Sequence, residues 1–339
     1  MPMYAQQLWF HRAKQIEVRE VHLAPLRSGE ILVTTECSAI SVGTELLAFR
    51  NQLPADIPLD SQIAHLNHAV EFPLRYGYAC VGRVTAIGAD VNEKCLGTRI
   101  FAFEPHASHF IARAEQVINV PADITAEQAV FLANMETAVS LVQQGAPGIG
   151  ENIAVIGLGV VGLLLAQLLQ QFPSSRLVGL DKLASRRAIA KQVGIDDLAN
   201  PTDETQWRNL IAQLAPQGAD LIYEISGNPT ALNLAFELTG FASRVILGSW
   251  YGDKSCQVNL GGAVHRNHIQ LITSQVSRIA PALTGRWDKQ RRFATSWDMI
   301  RLLQPERIID KRLSLDAAAD IYRQLDERPE ECLQPIFIY

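Results

Sequence analysis

The sequence predicts an α/β protein that combines a doubly wound parallel sheet with a second, mainly β region. From about residue 125 to 275, apolar strand-like runs alternate with helical stretches, which is typical of βαβ units and a parallel sheet. From about 16 to 121, short β-type runs are broken by Gly, Pro and Asn, which is typical of an irregular, partly antiparallel domain. At 339 residues the chain is long enough to form two separate cores.

Each strand prediction rests on a particular apolar run. In the first region the runs are EILVTTECSAI, YACVGRVTAIG, GTRIFAF and SHFIARAEQVINV, and in the second they are IAVIGL, RLVGL, LIYEIS and RVILG. The tail, LSLDAAADIYRQLDERPEECLQPIFIY, predicts an amphipathic helix followed by a final strand. In this respect the tail is more similar to the first region than to the second.

Composition excludes several classes of partner. The net charge of -5, with no Lys/Arg-rich stripe, argues against nucleic acid. No apolar run reaches the ~20 residues that a membrane span needs, and charges interrupt the N-terminus before any signal peptide can develop. Five cysteines without a CxxC pair argue against a disulfide framework and a four-cysteine zinc site. We therefore expect a cytoplasmic protein that has no membrane or nucleic-acid partner and acts on a small-molecule substrate.

A dinucleotide-binding motif follows the strand-like run IAVI. Gly157, Gly159 and Gly162 match GxGxxG, and an almost uncharged helix that includes Val160 and Val161 comes directly after the turn. The first glycine permits a tight turn, the second lets the backbone approach a pyrophosphate, and the third lets helix and strand pack closely. The N–H groups at the start of the helix would then face the phosphates.

Asp181 ends the next strand, nineteen residues after Gly162. A carboxylate there accepts hydrogen bonds from an adenosine ribose and repels a 2'-phosphate, so NAD(H) is favoured. Lys182, Arg186 and Arg187 could offset that repulsion, which leaves NADP(H) open. Further candidate cofactor contacts follow the later strands, because the carboxyl ends of a doubly wound sheet line the cofactor crevice: Ser226, Gly248 and Ser274.

Through SAISVGTEL, YGYACVGRVTAIGADV, GTRIF, NVPADIT, METAVSLV and GLGVVGLLLAQLL, the chain resembles the medium-chain dehydrogenase/reductase superfamily, which includes the zinc alcohol dehydrogenases. Its ISxGTE pattern is most similar to the branch of the bacteriochlorophyllide hydroxyethyl dehydrogenases. The resemblance implies a GroES-like, mainly β catalytic domain over 1–134 and 275–339, and a Rossmann domain over 135–274. It also implies that the protein could form a homodimer through the Rossmann sheets.

The same resemblance implies that the zinc ligands are absent. Val42 and Tyr78 stand where zinc members of the superfamily have Cys and His, and Ala133 stands near the third ligand position. These side chains cannot build a three-ligand catalytic zinc site. We therefore expect an enzyme without zinc, in which hydroxyl groups stabilise the reacting oxygen.

Five residues are candidates for catalysis: Thr44, Glu45, Tyr78, His106 and Glu136. Thr44 aligns with a hydroxyl residue that passes the substrate proton in zinc members. The Tyr78 phenol would occupy the space of the missing His and metal. Glu45 aligns with an acid of the zinc loop that does not itself bind the metal, Glu136 could orient the substrate or act as a base, and His106 could relay protons near pH 7.

Two further expectations concern neighbouring positions. Thr137 aligns with a residue near the nicotinamide, and His65 and His68 are expected at the surface.

Three functions fit the sequence. The first is a zinc-independent, NAD(H)-dependent oxidoreductase that moves a hydride between the nicotinamide and a secondary alcohol or ketone. The second is an NADPH-dependent quinone or enone reductase of the same superfamily, which Asp181 disfavours. The third is an NAD-binding protein that has lost catalysis, which predicts tight cofactor binding without turnover.

Overall fold

The computed structural model describes residues 3–60, 63, 66–214 and 217–339. It divides the chain into two compact units, Met1–Ala133 with Ile300–Tyr339, and Asn134–Met299. The segment 275–299, expected in the first unit, is part of the second. A buried ion pair contributes to this: Arg292 reaches Glu136 with Nη2 2.8 Å from Oε1, which ties this segment to the helix that opens the second unit.

The helices and strands of the described residues are, in chain order, β1 Met3–Arg12, β2 Gln15–Leu23, β3 Glu30–Ala39, α1 Val42–Phe49, β4 Cys80–Ile87, β5 Arg99–Ala102, β6 His109–Arg113, β7 Ile118–Asn119, α2 Ala126–Ala129, α3 Leu132–Gly145, β8 Asn152–Ile156, α4 Val160–Leu169, β9 Arg176–Leu180, α5 Ala184–Gln192, β10 Asp197–Ala199, α6 Glu204–Ala212, β11 Ala219–Glu224, α7 Ala231–Leu238, β12 Thr239–Leu247, β13 Gln270–Thr273, α8 Lys289–Leu303, β14 Lys311–Leu313, α9 Ala318–Glu327 and β15 Pro335–Ile338.

The first unit is mainly β. Its sheet has the order β14-β15-β3-β4-β5-β7, with β6 also paired to β3, and β1 and β2 form a separate antiparallel hairpin. Alternating apolar residues of its strands, such as Val33, Val84 and Phe110, are buried against one another. The tail belongs here because β15 pairs with β3, with Phe337 opposite Ser38. The predicted helix and final strand of the tail are confirmed.

The second unit is a Rossmann fold. Its sheet has the order β10-β9-β8-β11-β12-β13, and every pair in it is parallel. The direction of strand order reverses between β8 and β11, and ligands of doubly wound sheets bind beyond the carboxyl ends of the strands at such a point. The fold class predicted from the sequence, a doubly wound sheet plus a GroES-like, mainly β domain, is confirmed.

Within the described part of the chain, no helix is both long enough and apolar enough to cross a membrane.

Candidate active site

The glycine turn after β8 lies at the reversal point of the Rossmann sheet. Gly157 has φ +102°, and a Cβ there would lie 2.7 Å from the Cα of Ser226, which follows β11. A Cβ on Gly162 would lie 2.0 Å from the carbonyl oxygen of Gly157. Both positions therefore need glycine, since a side chain would force apart the two loops or the helix and the turn.

The start of α4 offers free donors. Gly159 is the N-cap and provides no side-chain cap, and the first intrahelical bond runs from Leu163 N to Gly159 O at 2.8 Å. The N–H groups of Val160, Val161 and Gly162 precede that bond. A Cβ built on Gly159 would meet only Arg186, with Nη1 at 3.8 Å. This open cradle of N–H groups at a helix N-terminus fits a pyrophosphate.

Asp181 is held rigidly beside the glycine turn. It is 5% exposed; Oδ2 accepts the N–H of Leu158 at 2.8 Å, and Oδ1 accepts the N–H of Leu183 at 2.8 Å. Arg186 Nη1 lies 3.7 Å from Oδ2, and its buried Nε has no hydrogen-bond partner within the described chain. Arg187 is occupied by the carbonyl oxygens of residues 181 and 182. Arg186 therefore places its guanidinium beside the cradle, with Nη1 3.8 Å from a Cβ built on Gly159.

The remaining predicted cofactor residues follow strands of the Rossmann sheet or lie on α3. Gly248 and Ser274 directly follow β12 and β13, Ser226 lies two residues after the end of β11, and the half-buried Thr137 lies on α3. Because these strands are parallel, their carboxyl ends share one edge of the sheet.

A buried carboxylate that sequence reasoning missed joins two of these loops. Glu224 is fully buried at the end of β11 and accepts hydrogen bonds from Ser226 N at 2.9 Å, from Ser226 Oγ and from the Tyr251 hydroxyl. The sequence signal that could have indicated this site was an acidic residue, Glu224, within the apolar run LIYEIS.

Three hydroxyl groups meet in the first unit, and we call them the hydroxyl trio: Ser41, Thr44 and Tyr78. The Tyr78 hydroxyl donates to Thr44 Oγ1 at 3.0 Å and contacts Ser41 Oγ. All three side chains are half-buried. Burial raises the pKa of Tyr78 above its ordinary value, and its hydrogen bonds with Ser41 and Thr44 only partly oppose this. The phenol is therefore protonated at neutral pH and can donate a proton.

Ser41 was not among the predicted catalytic residues. Its position directly before α1 is that of an N-cap serine, whose side chain ordinarily accepts a backbone N–H of the first helical turn. The structure shows no such side-chain cap at Ser41, because its Oγ is directed to Tyr78. The segment containing Val42 and Thr44, treated as a loop in the sequence, is the first turn of α1.

Glu45 and His106 lie together beneath this helix end. Both are fully buried, and His106 Nε2 is 3.0 Å from Glu45 Oε2. The other carboxylate oxygen, Oε1, accepts the N–H of Ser41 at 2.7 Å. The pair therefore contacts the trio through the backbone of Ser41.

Glu136 occupies a different environment from the other catalytic candidates. It is 2% exposed and pairs with Arg292, which is 1% exposed, and with Lys289. Arg292 also donates through Nη1 to Ser140 Oγ at 3.3 Å and through Nη2 to the carbonyl oxygen of Val276. These contacts favour a structural role for Glu136, in which it attaches α8 and the segment before it to α3.

Arg292→Met is expected to lower the free energy of unfolding by about 3 kcal/mol, because it leaves a buried carboxylate without its main partner. Chemical denaturation followed by far-UV circular dichroism measures this. The matched control is Arg301→Met, which breaks the exposed pair with Asp123 and should cost about 0.5 kcal/mol. Equal effects of the two substitutions would contradict a structural role for the buried pair.

The residues at the zinc-ligand positions do not fit a zinc ion. Val42 and Ala133 offer no donor atom, and the Tyr78 hydroxyl is shared with Ser41 and Thr44. Across residues 3–60, 63, 66–214 and 217–339, no three His, Cys, Asp or Glu side chains are grouped so as to hold a metal ion.

Two observations complete the surroundings. Glu104 follows β5, and burial raises the pKa of its carboxyl to about 7, which Arg75 partly opposes. His68 is exposed, as expected, whereas His65 lies outside the described residues.

Comparison with known proteins defines the class. Residues 160–294 match the family model described as zinc-binding dehydrogenase. The chain is 24% identical over 322 residues to D-guloside 3-dehydrogenase of Escherichia coli strain K12. The aligned region covers 91% of this chain and 92% of that protein. The chain belongs to the medium-chain dehydrogenase/reductase superfamily, and it is an oxidoreductase of that class.

Solved structures show the same fold over the whole chain. An alcohol dehydrogenase from E. coli CFT073 complexed with NADH superposes with a TM-score of 0.80 at 16% identity, covering 99% of both chains. A protein from Sinorhizobium meliloti 1021 bound to NADP superposes with a TM-score of 0.78 at 17% identity, covering 99% of this chain and 100% of that one. These solved structures share the fold of this chain, while the likeness to the bacteriochlorophyllide branch stays a prediction.

Proposed function

We propose that this protein is a zinc-independent, NAD(H)-dependent dehydrogenase that interconverts a secondary alcohol and a ketone. The observation that carries the proposal is the hydroxyl trio, in which a protonated phenol stands at a position where zinc members have a metal ligand. A hydroxyl donor can stabilise a reacting oxygen in place of a metal ion.

The trio would act on the substrate oxygen. When bound, the nicotinamide ring supplies or accepts the hydride. In ketone reduction, the Tyr78 hydroxyl turns from Thr44 to the carbonyl oxygen and gives it a proton, while Ser41 Oγ donates to the phenol oxygen and stabilises its developing charge. In alcohol oxidation the same proton returns to Tyr78 as the carbonyl forms.

The preference for NAD(H) rests on Asp181. Its carboxylate is fixed by two backbone N–H groups beside the pyrophosphate cradle. Because this negative charge is held in place, it would repel a 2'-phosphate. Arg186 lies 3.7 Å from that carboxylate and reduces its negative field. We therefore propose that NADH binds more tightly than NADPH and that the difference is moderate.

The substrate class is proposed from D-guloside 3-dehydrogenase, the relative described above. That protein is named for oxidation at position 3 of a guloside, which supports a secondary hydroxyl on a sugar-like ring as the reacting group.

A second candidate is reduction of an activated C=C bond with NADPH. The guanidinium of Arg186, whose Nη1 lies beside the cradle, favours it, because a guanidinium can bind a 2'-phosphate.

One set of measurements tests the proposal. The purified protein is analysed for metal, titrated with NADH and NADPH by cofactor fluorescence, and then assayed with glycoside, polyol, ketone and enone panels. Metal-free protein that prefers NADH and turns over a ketone or secondary alcohol supports the proposal. Stoichiometric zinc contradicts it, NADPH preference with enone turnover supports the second candidate, and tight NADH binding without turnover supports a non-catalytic role.

A homodimer is proposed to form at the β13 edge of the Rossmann sheet. β13 is the last strand in the sheet order, and Leu271 within it is 46% exposed. An edge strand with an exposed apolar side chain can pair with a second copy.

A further inference from the structure

A buried polar chain extends from the hydroxyl trio toward the tail of the first unit. Glu45 accepts three hydrogen bonds, from Ser41 N at 2.7 Å, from His106 Nε2 at 3.0 Å and from the Tyr322 hydroxyl. Glu45, His106 and Tyr322 are all 0% exposed. A carboxylate is stable in such a place only when its oxygens are fully hydrogen-bonded, so the three donors are needed together.

The orientation of the imidazole is fixed from its other side. His106 Nδ1 is 2.7 Å from Ser38 Oγ, which in turn is 2.9 Å from the Tyr339 hydroxyl. The ring also packs edge-on against Phe337, with centroids 5.1 Å apart. With Glu45 Oε2 as the acceptor, the ring hydrogen is assigned to Nε2, and Ser38 can then donate to Nδ1.

This chain fixes the backbone that carries Ser41 Oγ. Ser41 is the N-cap of α1 without a side-chain cap, and the Glu45 carboxylate accepts the Ser41 N–H, which holds the backbone at this point. With its backbone held in this way, Ser41 directs Oγ to the Tyr78 hydroxyl. Without His106, Glu45 would lose a donor and the carboxylate would turn toward another one.

We propose that His106 is a positioning residue for the hydroxyl trio, acting through Glu45 on Ser41 and Tyr78. The inference rests on the proposed function in one respect only, since it assigns catalytic importance to the trio; the geometric part stands on its own. His106 itself does not touch the substrate in this assignment.

The test compares His106→Leu, which removes both ring nitrogens, with His106→Gln, whose amide can still donate to Glu45. The leucine variant is expected to lower kcat about 100-fold, the cost of misplacing a reacting group by ~1 Å, with KM for NADH changed less than about twofold. The glutamine variant is expected to recover kcat to within about fivefold of the wild type. His109→Leu, which changes a half-buried histidine on β6, is the control and should leave kcat unchanged.

A double-variant comparison separates positioning from general damage to the fold. If His106 acts through the trio, adding His106→Leu to Tyr78→Phe should cause little further loss of kcat, because the group being positioned is already gone. A full additional 100-fold loss would overturn the proposal. If the leucine variant does not fold, the same comparison is made with Ser38→Ala, which removes the partner of Nδ1.

A crystal structure of the His106→Leu variant, or of Ser38→Ala if the former does not fold, gives a readout that needs no turnover. Loss of the contact between Ser41 Oγ and the Tyr78 hydroxyl is expected, and a retained contact would overturn the inference. If that contact is lost but Tyr78→Phe leaves catalysis intact, the proposed function is wrong and the positioning remains correct. If Tyr78→Phe impairs catalysis and His106→Leu does not, the positioning role is wrong.

Discussion

Tyr78→Phe is expected to lower kcat for ketone reduction about 100-fold or more, the usual contribution of a positioned proton donor. The phenylalanine ring keeps the packing of the phenol and removes only the hydroxyl that contacts Ser41 and donates to Thr44. Steady-state kinetics gives kcat, and fluorescence titration gives the Kd of NADH, which should not change because the glycine turn and Asp181 belong to the other unit.

The neighbouring Tyr76 provides a matched control. Tyr76 is 2% exposed, and its ring meets that of Tyr78 edge-on with centroids 6.2 Å apart. Tyr76→Phe removes a phenol hydroxyl two residues away without altering the trio, so kcat should stay close to the wild-type value. If the two variants behave alike, Tyr78 is not the proton donor.

Gly159→Val is expected to raise the Kd of NADH about 100-fold, which corresponds to roughly 2.8 kcal/mol of binding free energy. The backbone of Gly159 has φ -71° and ψ -171°, which valine can adopt, and a Cβ would meet only the Arg186 guanidinium at 3.8 Å. The fold should therefore persist while the side chain fills the space that the pyrophosphate would occupy. Fluorescence titration measures the Kd, and the melting temperature reports the fold.

Gly285→Val is the control for this substitution. No atom lies within 4 Å of a Cβ built there, so valine can be added in the same unit without entering the cradle. An unchanged Kd for Gly159→Val, with the control also unchanged, would mean that the cofactor does not lie on this turn.

The sequence was most informative where local chemistry determines structure. The glycine turn, the following helix and Asp181 lie where the motif predicted, because tight turns and helix N-termini depend on neighbouring residues. β10, Asp197–Ala199, was not predicted, because three residues with a polar start carry little pattern. Its place in the sheet is supplied by pairing with β9.

Long-range contacts account for what the sequence could not show. Glu136 looked like a catalytic acid because it precedes Thr137, but its partner Arg292 is 156 residues away in the chain. Ser41 was not predicted as a site residue, because Tyr78, which its Oγ contacts, is 37 residues away in the chain. Such assignments need the tertiary structure, since each depends on a partner brought in by folding.

The pairing of β15 with β3 has a consequence for biosynthesis. β3 is among the first strands to leave the ribosome, whereas its partner residues 336–338 follow about 300 positions later. At roughly 5 to 20 residues per second, the β3 backbone from Cys37 to Ala39 waits on the order of 15 to 60 s for its neighbour. The Rossmann unit can fold during that delay, but the first unit cannot complete its sheet until the tail has been synthesised. Ribosome-stalled chains that lack the tail should therefore carry an open strand edge available to chaperones.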